Sequence, residues 1–273
     1  MLTLVATPIG NLSDISYRAV EALSSADAIY CEDTRHSIQL LNHLNIKKPL
    51  ISCHEHNEQS RAREIVARLQ KGEEIAYVSD AGMPGISDPG AVLVSACIEN
   101  GLPYTLIPGA SAVLTAAVLS GFPCGTFSFF GFLPRENKPR KKILEQIGSC
   151  RHLVILYESP HRVAGTFREL YELLGDRPAA LVRELTKKFE SVDRGTLLGL
   201  SEKYKEQEPK GECVITVLCE DTVETADADR MDKVILDALK EGLSAKDAAA
   251  RAAELPGISK KTAYARTLEL RRE

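Results

Sequence analysis

Val78-Ser-Asp-Ala-Gly-Met-Pro-Gly-Ile-Ser-Asp-Pro-Gly90 is the stretch of this sequence that decides the fold. A short apolar run, 75–78, leads into it, and an apolar helix-like run, 91–99, follows it. Ser79–Gly90 holds three glycines and two prolines among twelve residues, which exposes backbone N–H and C=O groups to close approach. In an alternating α/β protein, a loop of this kind marks the end of a strand and a place where ligands bind.

Four other segments share this composition, because each places Gly, Pro and small polar or acidic residues directly after a short apolar run. They are Leu4-Val-Ala-Thr-Pro-Ile-Gly-Asn-Leu12, Cys31-Glu-Asp-Thr-Arg35, Ile107-Pro-Gly-Ala-Ser111 and Leu156-Tyr-Glu-Ser-Pro-His-Arg162. Segments so far apart in the chain can act together only if folding brings them into one cleft. The sequence therefore predicts an α/β fold with a composite site.

Short apolar runs alternate with amphipathic stretches up to about residue 115, which predicts a largely parallel sheet covered by helices. A second set of strands and helices begins with Phe127-Ser-Phe-Phe-Gly-Phe-Leu133, and the uniformly apolar 213–219 predicts a strand buried on both faces. The acidic stretch Glu220–Asp229 is interpreted as a linker to three short helices. We expect domains at 1–119 and 120–222, and a helical appendage at 223–273.

The composition is that of a soluble globular protein, with 44% hydrophobic and 26% charged residues among 273. No apolar run is long enough to span a membrane, and the first residues read as a strand instead of a signal peptide. Seven scattered cysteines form no C-x-x-C pair, which is typical of reduced thiols. We therefore expect a cytoplasmic protein without a membrane partner.

Basic residues cluster in two places, although the net charge is −4. One cluster, at 133–142, includes Lys141 and Lys142, and the other, at 259–272, includes Lys260, Lys261 and Arg266. Both clusters are consistent with solvated helix faces and with a localised site for a polyanion. The last two helices around a glycine turn fit a helix-turn-helix and equally fit a plain three-helix appendage.

Several common sites are missing from the sequence. The first strand is not followed by G-x-G-x-x-G, and no Gly-Lys-Ser/Thr phosphate loop or G-x-S-x-G nucleophile elbow occurs. His56-Asn-Glu58 matches half of a zinc-deaminase motif, but P-C-x-x-C is missing. Cys53, His54 and His56 are clustered, but successive side chains of an extended segment point apart and do not converge on one tetrahedral metal, so no metal is expected.

The remaining loops suit a polar, partly zwitterionic small molecule. Asp80 follows an apolar strand directly and suits a hydrogen bond to a ribose or an amino group. Asp88, followed by Pro89, is interpreted mainly as a helix N-cap. Ser111 stands at a helix start, where it either caps the helix or meets a carboxylate.

The combination of T-P-I-G-N-L-x-D, E-D-T-R, S-D-A-G-x-P-x-x-S-D-P-G, P-G-x-S-A, Y-E-S-x-H-R and R-E-L-T-K resembles the tetrapyrrole methylase superfamily over the whole chain. Within that superfamily it is most similar to an RNA-directed branch that methylates a cytidine ribose 2′-hydroxyl in 16S ribosomal RNA of the small subunit. The sequence differs from the family pattern at Met83, where relatives often have Thr, and at Ala110, where they often have Pro.

This resemblance implies a two-domain class III methyltransferase fold that binds S-adenosylmethionine between its domains, commonly as a homodimer, with a C-terminal appendage resembling a helix-turn-helix. The cofactor-facing positions that it implies are Pro8, Ile9, Asp80, Ala81, Gly82, Met83, Ser111, Ala112, Tyr157, Leu185 and Glu212. The implied substrate is 16S ribosomal RNA, free or in an assembled small subunit.

Methyl transfer to a ribose hydroxyl needs close positioning and removal of a proton from a very weak acid. The candidates for the general base are Glu32, Asp33, Glu158, Glu184 and Lys187, and the sequence leaves the choice among them open. Alongside the two lysine clusters, Arg35, His56, Asn57 and Arg162 are expected to contact RNA. Two alternatives remain at this point: a methylase of the same fold acting on a tetrapyrrole or another small molecule, and a ligand-sensing helix-turn-helix regulator.

Overall fold

The computed structural model describes residues 1–219, 223–255 and 258–271, without the side chains of 223–229 and 261. The chain divides into two compact units, Met1–Cys219 and Glu220–Glu273. Each of the two five-stranded sheets in the first unit forms the centre of a lobe. No helix in the described part of the chain has the length and apolar character needed to cross a bilayer.

The first lobe is a parallel sheet with helices on both faces. Its strand order is β3-β2-β4-β1-β5, and every neighbouring pair is parallel. The strands are β1 (Leu2–Val5), β2 (Ala28–Cys31), β3 (Leu50–Ser52), β4 (Ile75–Val78) and β5 (Tyr104–Ile107). The helices are α1 (Tyr17–Ser25), α2 (Thr34–His43), α3 (Glu58–Gln70), α4 (Ala91–Glu99) and α5 (Ala112–Ser120).

Alternating side chains of the central strands bury the two faces of this sheet against different helices. Leu2 and Leu4 of β1 pack with the side of the sheet that α3 and α4 cover, whereas Val5 packs with α1 and α2. Because all five strands are parallel, their carboxyl ends meet at one edge. The loops after β1, β2, β4 and β5, which carry four of the five segments singled out in the sequence, therefore lie at the same edge.

The second lobe is a mixed sheet in the order β6-β7-β10-β8-β9, in which only the β6–β7 pair is parallel. Its strands are β6 (Phe127–Phe132), β7 (Leu153–Glu158), β8 (Pro178–Arg183), β9 (Ser191–Thr196) and β10 (Cys213–Leu218). Its helices are α6 (Asn137–Gly148), α7 (Val163–Leu174) and α8 (Leu197–Glu206). The central strand β10 is almost fully buried, as its uniformly apolar sequence predicts.

An apolar cluster joins the two lobes. It combines Ile9 of the first loop, Val113 and Ala116 of α5, and Leu185 and Val214 of the second lobe. This cluster fixes the position of the loops of one lobe relative to those of the other.

The second unit contains three helices, α9 (Val223–Lys240), α10 (Ala245–Ala252) and α11 (Lys260–Leu270). Met231, Ile235, Ala249, Ala252 and Ala263 form its core. Ser244 and Ser259 cap α10 and α11 by accepting hydrogen bonds from Asp247 N and Thr262 N, as their positions before the helices predict. Pro256 and Gly257 of the predicted turn lie outside the described residues.

Several sequence-based assignments were wrong or incomplete. Helix α2, strand β9 and helix α8 were not expected. The linker predicted at Glu220–Asp229 is helical from Val223 onward, and residues 220–222 lie outside the described part. The boundary predicted between residues 119 and 120 falls inside the first compact unit and stays a prediction.

Candidate active site

The loops after β1 and β4 are joined by backbone hydrogen bonds. Thr7 N donates to Gly82 O at 2.9 Å, and Gly82 N donates to Thr7 O at 3.1 Å. The Thr7 hydroxyl also donates to Ser79 O at 3.3 Å. Gly82 has a φ of +81°, and a Cβ there would lie 3.3 Å from Ile9 Cγ2. Glycine is therefore required where these two motif loops meet.

Gly10 brings the first loop against the second lobe. A Cβ on Gly10 would lie 2.6 Å from Lys187 Cγ and 2.7 Å from Leu185 O, so the close contact requires glycine. The next residue, Asn11, donates its N–H to Thr186 Oγ1 at 2.9 Å. The T-P-I-G-N and R-E-L-T-K motifs thus form one junction between the lobes.

A cavity of about 360 Å³ lies between the lobes at the carboxyl edge of the first sheet. Nine of the eleven predicted cofactor-facing residues line it: Ile9, Asp80, Ala81, Gly82, Met83, Ser111, Ala112, Tyr157 and Glu212. Pro8 lines a neighbouring cavity, and Leu185 is buried in the apolar cluster between the lobes. The sequence reasoning missed Ile86, Phe132, Gly211 and Val214, which also line the cavity.

Aromatic rings form one wall of this first cavity. Tyr157 packs against Phe129 and Phe132, with ring centroids 4.8 and 5.5 Å apart. Burial raises the pKa of Tyr157 to about 12, so its hydroxyl stays protonated at neutral pH. The exposed Phe132 could have been suspected from the β6 sequence, but a run of phenylalanines more often forms core.

Asp80 and Ser111 also line the cavity, and each makes a hydrogen bond within the fold. Asp80 Oδ1 accepts from Asp33 N at 3.0 Å, which ties the loop after β4 to the loop after β2. Ser111 is the N-cap of α5, and its hydroxyl accepts from Leu114 N at 3.5 Å. Both side chains therefore have a structural role in addition to any ligand that they contact.

Asp88 is not the helix cap that the sequence suggested. The N-cap of α4 is Gly90, with a φ of +134°, and its N–H donates to the buried Glu58 Oε1 at 2.7 Å. The Asp88 carboxylate instead lines the first cavity. Burial raises its pKa to about 7, and the negative charges of Glu32 and Asp80 add to that shift.

Glu32 belongs to the same group of carboxylates. Burial raises its pKa, with further contributions from the charges of Asp80 and Glu55. Neither Glu32 nor Asp88 makes a hydrogen bond or ion pair with the described residues. We call Glu32, Asp80 and Asp88 the acidic cluster. The charge of Asp80 contributes to the raised pKa of both Glu32 and Asp88, and the charge of Glu32 contributes to that of Asp88.

Asp33 and Glu158, two other candidates for the base, have fixed partners. Asp33 caps α2 and pairs with Arg35, and these hydrogen bonds lower the pKa of Asp33 to about 2. The side chain of Glu158 is fully buried and accepts from Ser159 N at 2.8 Å and from Thr166 Oγ1 at 2.7 Å, and its Oε1 lies 3.4 Å from Arg162 Nε. Both carboxylates serve as acceptors within the fold.

Glu184 and Lys187 are also partnered. The Glu184 Oε1 accepts from Glu212 N at 3.0 Å and from Lys187 Nζ at 3.1 Å, which lowers the pKa of Glu184. Burial alone lowers the pKa of Lys187, but its bonds to Glu212 and Glu184 outweigh this and raise it. An ammonium with a raised pKa stays protonated at neutral pH and is therefore a poor base.

The residues predicted to contact RNA divide into exposed and fixed groups. Arg35, His56, Lys141, Lys142 and Lys260 are exposed, although Arg35 pairs with Asp33. Asn57 closes a turn through His54 N, Arg162 donates to Leu133 O, and Arg266 bonds Asp232 and Glu269. The side chain of Lys261 lies outside the described residues. Among the residues described, no group of three His, Cys, Asp or Glu is arranged to hold a metal ion.

Two family models match the chain. Residues 1–200 match the family described as Tetrapyrrole (Corrin/Porphyrin) Methylases, and residues 224–271 match the RsmI C-terminal HTH domain. Solved structures with a similar fold include diphthine synthase, with a TM-score of 0.62 and 18% identity over 80% of this chain and 89% of that one. The methyltransferase CobJ gives a TM-score of 0.61 and 20% identity over 79% and 92% of the two chains.

A uroporphyrin-III C-methyltransferase from Thermus thermophilus, in complex with S-adenosylhomocysteine, gives a TM-score of 0.57 with 16% identity over 79% of this chain and 96% of its own. Among curated proteins, a ribosomal RNA small subunit methyltransferase I from Synechocystis sp. is 42% identical over 99% of this chain and 98% of its own length. The protein of that name from Haemophilus influenzae is 43% identical over 97% and 95%.

Proposed function

This chain belongs to the ribosomal RNA small subunit methyltransferase I family, and from that premise we propose that it transfers a methyl group from S-adenosylmethionine to the 2′-hydroxyl of a cytidine in 16S ribosomal RNA. The observation that carries the proposal is the pairing of Thr7 with Gly82, which brings the T-P-I-G-N and S-D-A-G loops to one side of a single cavity.

The first cavity fits S-adenosylmethionine in size and in chemistry. Its volume lies in the usual range for small-molecule pockets, about 300–1,000 Å³. Met83, Ile86, Phe132 and Tyr157 offer apolar and aromatic contacts to an adenine ring and a thioether chain. The carboxylates of Asp80, Asp88 and Glu212 in the cavity lining supply negative charge, which favours a sulfonium cation over the neutral thioether product.

When bound, the cofactor supplies a methyl group whose bond to sulfur breaks as a bond to the ribose oxygen forms, leaving S-adenosylhomocysteine. The protein has to hold the hydroxyl in line and accept its proton. We assign proton acceptance to Asp88, because it lines the cavity, has no hydrogen-bond partner among the described residues and has a pKa of about 7. Burial raises that pKa most, and the charges of Glu32 and Asp80 raise it further.

The exposed basic residues of the second lobe and the appendage, Lys141, Lys142 and Lys260, are proposed to contact RNA phosphates, together with the exposed Arg35 of α2. Edge strand β5 and helix α5 expose Tyr104, Leu106, Leu114 and Val118, an apolar set that supports a homodimer of this chain. We place the protein in the cytoplasm, where its proposed substrate is found. The tetrapyrrole and regulator alternatives gain no support from the two relatives described.

The deciding experiment maps ribose 2′-O-methylation in 16S ribosomal RNA from cells with and without this gene. We expect one cytidine methylation to disappear in the deletion and to return with the wild-type gene. Purified protein with S-adenosylmethionine should restore it on small subunits or RNA from the deletion strain. An unchanged methylation map, or methylation only of a tetrapyrrole, would refute the proposal.

A further inference from the structure

A second cavity, of about 330 Å³, adjoins the first. The two share Ile9, Asp80, Ala81 and Glu212, so that these residues form a common wall. The rest of the second cavity is lined by residues of the β1 loop and helix α2, together with Ser79 and Lys187: Thr7, Pro8, Gly10, Leu12, His36, Ser37, Gln39, Leu40, Ser79 and Lys187. None of the functional assignments made above uses this cavity.

Two buried hydroxyls in this lining have no oxygen or nitrogen partner among the described residues, although Ser37 shares a weak hydrogen bond with the Cys31 thiol. Ser79 is 1% exposed and Ser37 is 4% exposed, and neither Oγ meets an acceptor or donor oxygen or nitrogen. Ser37 lies beside the Cys31 thiol, which is only a weak hydrogen-bonding group. Because buried hydroxyls are nearly always well hydrogen-bonded, two that lack an oxygen or nitrogen partner in one cavity indicate a bound polar molecule.

The side chains around these serines can recognise a nucleoside. Hydroxyls, the Gln39 amide and the His36 ring are donors and acceptors that suit a ribose and the edge of a base. Lys187, held between Glu184 and Glu212, adds a cation at the common wall. Enzymes that modify a nucleotide commonly take it out of the stack into a pocket with such groups.

We propose that the second cavity binds the target nucleoside of the RNA, with Ser37 and Ser79 as its hydrogen-bonding residues. This inference rests on the proposed function, because it supplies the acceptor site for that reaction. In this arrangement the nucleoside and the cofactor lie on the two sides of the common wall, which is one side chain thick. The ribose hydroxyl reaches the first cavity past Asp80 and Ala81. Arg35, exposed on α2 next to His36, is placed to meet a phosphate of the flanking strand.

The test uses full-length protein saturated with S-adenosylhomocysteine and cytidine as the probe, followed by ligand-observed NMR. Ser37→Ala combined with Ser79→Ala should weaken cytidine binding at least about tenfold, since a net hydrogen bond is lost at each position. The melting temperature should hardly change, because among the described residues the Ser79 hydroxyl has no partner and the Ser37 hydroxyl has only the weakly bonding Cys31 thiol, and affinity for S-adenosylhomocysteine should be unchanged.

The matched control is Ser120→Ala, because Ser120 is equally buried but its hydroxyl donates to Ala117 O at 2.7 Å. That variant should melt at a lower temperature and bind cytidine normally. The proposal is overturned if wild type does not bind cytidine, or if the double variant melts lower and binds cytidine as wild type does, which would mean that ordered water satisfies the serines. If the protein binds cytidine in this way but methylates no ribosomal RNA, the nucleoside site stands and the proposed function is refuted. If the protein methylates ribosomal RNA but the double variant binds cytidine as wild type does, the proposed function stands and the nucleoside site is refuted.

Discussion

Carboxylates in the loops that follow strands behave differently in the two lobes, apart from Asp33 of the first lobe, which pairs with Arg35. In the first lobe, Glu32 and Asp88 have no partner among the described residues, and burial raises their pKa. In the second lobe, Glu158 and Glu184 accept hydrogen bonds from backbone and side chains and face Arg162 and Lys187. The comparison teaches that an acid following a strand is a catalytic candidate only when the fold leaves it unpaired.

The cause of the difference lies in the two sheets. Five parallel strands deliver their carboxyl ends to one edge, so acids of their loops crowd together, and the charges of Glu32 and Asp80 add to the burial that raises the pKa of Asp88. In the mostly antiparallel second sheet, Glu158 ends β7 directly before α7, where Thr166 and Arg162 are within reach. The same type of residue is therefore available to accept a proton in one lobe and is a structural anchor in the other.

Asp88→Asn gives the largest expected effect. We expect kcat to fall about 10²–10⁴-fold, the usual contribution of a general base, while the variant stays folded and binds S-adenosylhomocysteine. In wild type, activity should decline as the pH falls through about 7, because the protonated Asp88 cannot accept a proton. Methylation assays stopped at fixed times, at pH values from about 5.5 to about 9, bracket the Asp88 pKa of about 7. They measure the loss of kcat in the variant and the pH profile of wild type.

Glu32→Gln sharpens this prediction. It removes a negative charge that raises the pKa of Asp88, so the acidic limb of the pH profile should move to lower pH. An unmoved limb would show that Asp88 does not set the pH dependence, and normal activity of Asp88→Asn would remove it from the reaction altogether.

Glu158→Ala should lower the free energy of unfolding, because Glu158 serves the fold and not the methyl transfer. Removing one member of a buried, hydrogen-bonded ion pair typically destabilises a protein by about 3–5 kcal/mol, and Arg162 would be left without its carboxylate. Urea unfolding monitored by circular dichroism measures the loss, with the exposed Glu145→Ala as control. A variant as stable as wild type but without activity would return Glu158 to the list of catalytic groups.

The parallel first sheet was predictable from the sequence because each of its strands is a short apolar run bounded by turn residues. Helix α2 was missed because Thr34–His43 has few apolar residues, and its start is fixed by the Asp33 cap instead. Strand β9, Ser191–Thr196, is polar and exposed at one end, so neither alternation nor apolarity reveals an edge strand held mainly by β8.

For the candidate site, the glycine-rich loops were predictable, whereas the state of each acid was not. Asp88 was predicted to be a cap because Asp-Pro often begins a helix. In the structure the cap lies two residues later, at Gly90, which has a φ of +134° and donates its N–H to Glu58. The pKa of Asp88 depends on burial, on the charge of Glu32 in the loop after β2 and on that of Asp80 eight positions earlier in its own loop. Such long-range effects follow from the tertiary structure and leave no local pattern.

The same distinction between free and paired charges applies to the cations. Lys141 and Lys142 are exposed on α6 and have no ion-pair partner among the described residues, whereas Arg266 bonds Asp232 and Glu269. Lys141→Ala with Lys142→Ala should reduce the slope of log affinity for RNA against log salt by about two units. Arg266→Ala should lower the melting temperature slightly and leave that slope unchanged. Filter binding over a salt series decides between them, and equal slopes for the lysine variant and wild type would exclude α6 from the RNA contact.

Glu184→Gln is the smallest and most specific change. The carboxylate pKa is lowered chiefly by the Glu212 N–H and then by Lys187, so its ionised form stabilises the folded state. That contribution, about 1 kcal/mol for a net hydrogen bond, is present above the unfolded pKa of about 4.3 and is lost as the pH falls through the lower folded value. Wild type should therefore unfold at higher urea than Glu184→Gln at pH 7, and the gap should close in acid. A gap that persisted below that range would mean that the charge on Glu184 contributes nothing, and that packing against Gly211 alone explains its place in the junction.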